Sequence, residues 1–196
     1  FDALEKISNT AEKLSAGEIL QLEKSITRSM TEDVYFDMIS QKTASLIATS
    51  CELGAITTKK TDENRKATHD FGENLGMAFQ IKDDLFDIVG SEYDTGKDSG
   101  SDVKKNMMTL PLIYSSTHMD RSNKRKLKKL LNVKKKNKSV LKDIQILIEQ
   151  TGGIDYANKK LDEYSNRALD ALSIYPESEY KMSLVNLVSF NKSRVK

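Results

Sequence analysis

The sequence predicts an all-α protein, and three observations carry that reading. Only 9 Gly and 2 Pro interrupt 196 residues, and the abundant Leu, Lys, Ala, Glu and Ser suit long helices with short connections. Apolar side chains recur at three- and four-residue spacing through most of the chain. Threonines followed directly by acids mark two helix starts, where a hydroxyl caps free amides and negative charge meets the positive helix end. The length suits one domain with a substantial core and is short for two.

From Phe1 to about Arg28, Leu4, Ile7, Ala11, Leu14, Ile19, Leu20 and Leu22 predict one or two helices, with Gly17 open to close packing. This pattern is already running at the first residue, so the chain is expected to begin inside something larger. Thr31 before Glu32 and Asp33 predicts a capped helix that carries Tyr35, Met38, Ile39, Lys42, Leu46 and Ile47 and fades near Gly54. Thr61 with Asp62 and Glu63 repeats the signal. The run that follows, to Val89, has one stripe of Ala67, Phe71, Leu75, Ala78, Phe79, Lys82 and Phe86 and a second of Met77, Ile81, Leu85 and Ile88. A helix apolar on more than one side belongs in the middle of a bundle. Gly90, Gly96 and Gly100 then break the pattern, and Gly90 to Asn106 reads as a flexible loop. A helix restarts at Thr109-Leu110-Pro111, where proline in the first turn costs little. Further helices are predicted over Asn123 to Leu131, Ser139 to Thr151, Ile154 to Leu172 and Glu177 to Phe190, with Gly152-Gly153 and Pro176 as joints.

The charge balance, 31 basic against 29 acidic residues, gives no reason to expect nucleic acid. Arg121 to Lys138 is nevertheless basic throughout, with no acid. A surface for polyphosphate or an anionic membrane is conceivable there, though without interleaved aromatics a solvated helix-loop-helix connection is the plainer reading. A basic helical adaptor for nucleic acid or membrane would rest on this stretch alone. Cys51 is the only cysteine, which rules out an internal disulfide and suggests a buried thiol in a reducing compartment. No apolar run approaches the roughly 20 residues that span a bilayer, so no stable membrane insertion is expected, and the protein is expected to be cytoplasmic.

Asp83, Asp84 and Asp87 stand near the end of the most apolar helix, with Asp83 and Asp87 one turn apart on one face. Those carboxylates repel each other and the negative helix end unless a cation compensates. Magnesium suits such oxygens because it takes one or two carboxylates plus phosphate and water. An Asp-Asp-x-x-Asp string is a weak signal alone. Here it interrupts a run of Phe79, Ile81, Leu85, Phe86, Ile88 and Val89, and Gly96-Lys97 follows just downstream.

At these residues the chain resembles the trans-isoprenyl (polyprenyl) diphosphate synthases. Gly76-Met77-Ala78-Phe79-Gln80-Ile81-Lys82-Asp83-Asp84-Leu85-Phe86-Asp87 is similar to that family's second aspartate-rich motif. Gly96-Lys97-Asp98-Ser99-Gly100-Ser101-Asp102 and Thr109-Leu110-Pro111-Leu112 match its Gly-Lys-x-x-Gly-x-Asp and Thr-Leu-Pro elements. Lys42-Thr43 resembles its Lys-Thr signature, Ser8-Asn9-Thr10-Ala11-Glu12 the helix between the aspartate motifs, and similarity runs on through Gly152-Gly153-Ile154.

The resemblance implies an antiparallel helical bundle of the isoprenyl synthase type. Residues 1–196 would be the C-terminal part of a larger fold, 90–107 its active-site loop, and the assembly a homodimer. It implies a prenyltransferase that condenses isopentenyl diphosphate with an allylic diphosphate, with magnesium held by Asp83, Asp84 and Asp87. Lys42 and Lys97 would contact the diphosphate, Thr43 and Gln80 would orient groups around the allylic carbon, and Phe79 and Phe86 would wall the chain. Ordinary interhelical hydrogen bonds are the alternative for Thr43 and Gln80, and ordinary core packing for the two phenylalanines.

Two departures bear on this. Where the family places an acid and then a lysine before Thr-Leu-Pro, this chain has Lys105 and Met107, and methionine donates no hydrogen bond. The family's first aspartate motif and isopentenyl-diphosphate arginines lie upstream of any residue here, so this polypeptide alone is not expected to elongate prenyl chains. The rival reading is a non-catalytic helical subunit that keeps the fold and diphosphate binding. A terpene cyclase is disfavoured because its second motif uses Asn, Ser and Glu.

Overall fold

The computed structural model describes residues 2–58, 60–89 and 100–194, and among these every regular element is helical. Helix α1 (Asp2–Thr27) is one continuous rod, not two helices. Helix α2 (Glu32–Ile39) starts at Thr31, whose hydroxyl accepts from the Val34 amide. It runs directly into a π-helical turn (Ser40–Ala44) and then α3 (Ser45–Thr57), so the helix predicted from Thr31 exists with a widened turn in it. Such a turn opens the backbone ladder, and it often marks a functional position. Here it contains Lys42 and Thr43.

Helix α4 (Asp62–Val89) starts at Thr61, whose hydroxyl accepts from the Asn64 amide. It lies centrally, packing against α3, the π-helical turn and the later helices over Leu110–His118, Gly153–Ala171 and Glu179–Ser193. The second predicted stripe is buried throughout, with Met77, Ile81, Leu85 and Ile88 at 7% exposure or less. The first stripe is corrected at its end, because Phe79 is 37% exposed. Three close approaches set the geometry. A Cβ on Gly76 would lie 2.6 Å from Ala44 Cα, one on Gly72 2.7 Å from Ala48 Cα, and one on Gly17 2.7 Å from the Lys42 amide nitrogen. Gly17 and Gly76 draw α1 and α4 against the π-helical turn from two sides, and Gly72 draws α4 against α3.

Part of the predicted loop is ordered helix. Residues 90–99 lie outside the described residues, but Gly100 is buried with a left-handed φ of 72° and starts the single-turn helix α5 (Ser101–Lys104). Helix α6 (Leu110–His118) carries Pro111 in its first turn as predicted. Then come α7 (Arg121–Leu131), capped by Asp120, α8 (Lys138–Gln150), capped by Asn137, and α9 (Gly153–Ala171). A 3₁₀ turn (Leu172–Ile174) and α10 (Glu179–Ser193), capped by Ser178, complete the chain.

Three apolar clusters form the core. The one under the site joins Tyr35, Met38 and Ile39 of α2 to Ala78, Ile81 and Leu85 of α4, Leu110 and Ile113 of α6, and Leu161 of α9. A second unites α6, α7 and α8 around Leu112, Leu127, Ile144 and Ile148. The third closes the opposite end with Phe71, Leu75, Leu172 and Val188. No helix is long and apolar enough to cross a membrane among the described residues.

Candidate active site

The site grows from the junction of α2, the π-helical turn and α4. Asp84 is 5% exposed, on the face of α4 that meets α2. A carboxylate taken from water needs donors, and it has two. The Tyr35 hydroxyl donates to its Oδ2 at 2.7 Å and Gln80 Nε2 to its Oδ1 at 2.8 Å. The Thr43 hydroxyl in turn donates to Gln80 Oε1 at 3.0 Å. A directed chain therefore runs from the π-helical turn through Gln80 to the middle aspartate. Thr43 and Gln80, predicted together from motifs 37 residues apart, do meet, and their contact is an interhelical hydrogen bond that ends on a motif acid.

The other two motif acids face elsewhere. Asp83 Oδ1 accepts from Arg194 Nη2 at 2.6 Å, and the same guanidinium donates to the Phe79 carbonyl at 3.1 Å and sits over the Phe79 and Phe86 rings. Asp87 accepts at Oδ1 from the Ser101 amide, 2.9 Å, and at Oδ2 from the Asp102 amide, 3.0 Å, while its carbonyl takes the Gly100 amide at 2.8 Å. Asp87 thus satisfies the first free amides of α5 from α4, while Gly100 holds the N-cap position. Among the described residues no three acidic, histidine or cysteine side chains converge as a ready-made metal cage.

A cavity of about 250 Å³ lies beside the network, lined by Tyr35, Lys42, Gln80, Asp84, Asp102 and Thr109 among others. Lys42 Nζ donates to Gln21 Oε1 at 2.5 Å and pairs with Glu18 Oε1 at 3.1 Å, so the anionic partner expected for this lysine comes from α1. Lys105 and Met107 both line the cavity, and the Met107 sulfur accepts from Gln21 Nε2 at 3.9 Å. The Thr109 hydroxyl is buried at the cavity wall with no hydrogen-bond partner among the described residues. Lys97 lies outside the described residues.

The electrostatics show a surplus of negative charge. Burial pushes the Asp84 carboxyl up to about 7 against the pull of its Tyr35 and Gln80 hydrogen bonds, and Asp102 and Asp83 push it further. Burial also lifts Asp102 to about 6, with Asp87 adding to the rise and Lys105 and Lys42 opposing it. Burial raises the Tyr35 phenol well above its ordinary value, reinforced by Asp84. Asp84 and Asp102 are therefore the acids held charged only against burial, while Asp83 is paired with Arg194 and Asp87 with two backbone amides. This all-oxygen donor set fits a hard divalent cation completed by phosphate and water.

Sequence reasoning missed four contributors. Tyr35 was read as core, although a buried tyrosine hydroxyl seeks a partner. Asp102 was inside a matched motif without a role. Gln21 and Arg194 carry no local signal, since they reach the site only through tertiary packing.

Comparison with known proteins shows the family. The Polyprenyl synthetase family profile matches residues 1–148. An all-trans-nonaprenyl-diphosphate synthase (geranyl-diphosphate specific) from Rhodobacter capsulatus is 32% identical over 183 residues, 93% of this chain and 55% of that protein. The crystal structure of geranylgeranyl pyrophosphate synthetase from Pyrococcus horikoshii Ot3 superposes with a TM-score of 0.91 at 33% identity, over 98% of this chain and 58% of that one. A polyprenyl synthase from Caulobacter crescentus CB15, complexed with calcium and isoprenyl diphosphate, gives 0.92 at 28% identity, over 100% of this chain and 60% of that one. The chain thus spans 55% to 60% of the length of these three relatives. With the family profile covering most of its length and these relatives sharing its sequence and its helical arrangement, the chain belongs to the polyprenyl synthetase family.

Proposed function

We propose that this chain provides the second carboxylate cluster of a trans-prenyl diphosphate synthase, where an allylic diphosphate is held for condensation with isopentenyl diphosphate. The observation that carries this reading is the hydrogen-bonded chain from Thr43 through Gln80 to Asp84 on the wall of a cavity that Lys42 also enters. Three of the motif residues that resemble the family's active site, Thr43, Gln80 and Asp84, share one polar network.

Asp83, Asp84 and Asp87 would hold magnesium, and the bound ion would supply the positive charge that stabilises a departing diphosphate. Lys42, held by Gln21 and Glu18, is a second cation for the diphosphate, and Lys97 is assigned the same role on its motif. Gln80 accepts from Thr43 and donates to Asp84, so its side chain has one fixed orientation at the cavity. Met38, Ile39 and Met108 on the cavity wall exclude water from an electron-poor carbon. The buried Thr109 hydroxyl is a free donor for a phosphate oxygen.

Met107 and Lys105 favour a second reading, a subunit that binds diphosphate without turning it over. A radiolabel assay with isopentenyl and allylic diphosphates plus magnesium separates them. The chain alone is expected to yield no elongated product, and a longer form that also carries a first aspartate-rich motif is expected to turn over. Binding without turnover in such a longer form supports the subunit reading, and robust elongation by residues 1–196 alone refutes the assignment of half a site to them.

A further inference from the structure

The end of α1 brings together two cations and two amides with no acid among them. Lys136 is only 8% exposed, and a buried lysine ordinarily has an anionic partner. This one donates to a neutral oxygen, Asn106 Oδ1, at 3.1 Å. The same oxygen accepts from Arg28 Nη2 at 3.3 Å, and Arg28 Nη1 donates to Asn132 Oδ1. Neither Arg28 nor Lys136 lies within ion-pair distance of a carboxylate among the described residues. The side-chain NH2 groups of Asn106 and Asn132 likewise have no protein acceptor there. Burial and the neighbouring Arg28 charge pull the Lys136 ammonium below its ordinary pKa, as expected of a positive charge that lacks its counter-charge.

The backbone favours the same reading. Arg28 and Asn106 are the two non-glycine residues with positive φ among the described residues, at 53° and 60°. Asparagine tolerates that region, whereas arginine after a helix end occupies a position that normally favours glycine. The strained conformation is retained where the side chain has a task. Asn106 also sits between Lys105 and Met107, which line the cavity, so the cluster adjoins its rim. The exposed Lys134 and Lys135 extend the positive surface outward.

We propose that Arg28, Lys136, Asn106 and Asn132 form a binding site for a phosphate group, beyond the carboxylate cluster and independent of divalent metal. Arg28 and Lys136 donate here only to the neutral amide oxygens of Asn106 and Asn132, and the charged oxygens of a phosphate would replace these as stronger acceptors with no carboxylate to repel them. The phosphate has two possible sources, a free diphosphate or the headgroup of an anionic lipid.

The test is calorimetric titration of the 196-residue chain with inorganic pyrophosphate in EDTA, beside sedimentation with phosphatidic acid vesicles. Binding is expected in EDTA, about tenfold weaker in Arg28→Gln/Lys136→Gln and nearly unchanged in Lys134→Gln/Lys135→Gln, which removes the same charge outside the cluster. Asn106→Asp places a carboxylate between the two cations, so it is expected to abolish binding while raising the thermal midpoint. That outcome separates loss of the site from loss of the fold. Loss of vesicle sedimentation in the same variants assigns a lipid headgroup, and an effect on pyrophosphate alone assigns a free phosphate. No binding in EDTA, or equal losses in the two double variants, overturns the proposal. The EDTA condition keeps this result separate from magnesium-dependent binding at Asp83, Asp84 and Asp87.

Discussion

Tyr35 donates its hydroxyl to Asp84 across 2.7 Å in the core between α2 and α4, with both residues at 5% exposure or less. The pair joins the stability of the bundle to the orientation of the middle motif acid. Tyr35→Phe keeps the ring packing and strands one carboxylate oxygen, so a loss of about 1–3 kcal/mol is expected. Urea unfolding measures it.

Asp84→Asn separates the effect on stability from the effect on binding. The substitution removes a buried charge while keeping shape and one acceptor, so stability at neutral pH is expected to change by less than about 1 kcal/mol. Magnesium-dependent binding of an allylic diphosphate is expected to fall. A parallel fall in both would mean that Asp84 serves the fold alone.

Asp87 caps α5 through the Ser101 and Asp102 amides. Asp87→Ala is expected to cost about 1–3 kcal/mol, and Asp87→Asn to recover only part of that, since asparagine keeps one acceptor oxygen and turns an NH2 towards the other amide. Hydrogen exchange at those two amides is the readout, and it should accelerate in the alanine variant.

The glycines divide by what surrounds them. Gly76→Ala would put a Cβ 2.6 Å from Ala44 Cα, whereas nothing lies within 4 Å of one on Gly54. Overpacking is expected to cost Gly76→Ala about 1–3 kcal/mol, and Gly54→Ala is expected to gain about 0.5–1 kcal/mol from helix propensity. Thermal unfolding of the two variants compares them directly.

Arg194 occupies Asp83 with a positive charge that a divalent ion would have to share or displace. Arg194→Gln is expected to tighten manganese binding by about threefold to tenfold and to change stability by no more than about 1 kcal/mol. Weaker binding in this variant would show that Arg194 orients Asp83 for the ion.

The sequence made most of the fold legible through local rules. Thr31 and Thr61 cap as their hydroxyl and acid pattern predicts, and Met77, Ile81, Leu85 and Ile88 are buried at their helical spacing. The π-helical turn at Ser40–Ala44 was not legible, because one added residue in a turn leaves the apolar spacing almost unchanged. Phe79 was read as part of the stripe, and it lies at the surface under Arg194, a partner 115 residues away. Within the site, the motifs assign Thr43 and Gln80 to the same surroundings, but neither their mutual hydrogen bond nor the separation of Asp83, Asp84 and Asp87 is legible in them. Helical spacing places side chains on faces, and their final directions depend on Tyr35, Ser101 and Arg194, which tertiary packing supplies.

The most direct test of the central claim is calorimetric binding of geranyl diphosphate to the chain with magnesium and with EDTA, repeated for Asp83→Asn/Asp87→Asn. A magnesium-dependent component is expected, weakened by about tenfold or more in that variant. A magnesium response that is absent, or that survives the double substitution at full strength, would contradict that claim.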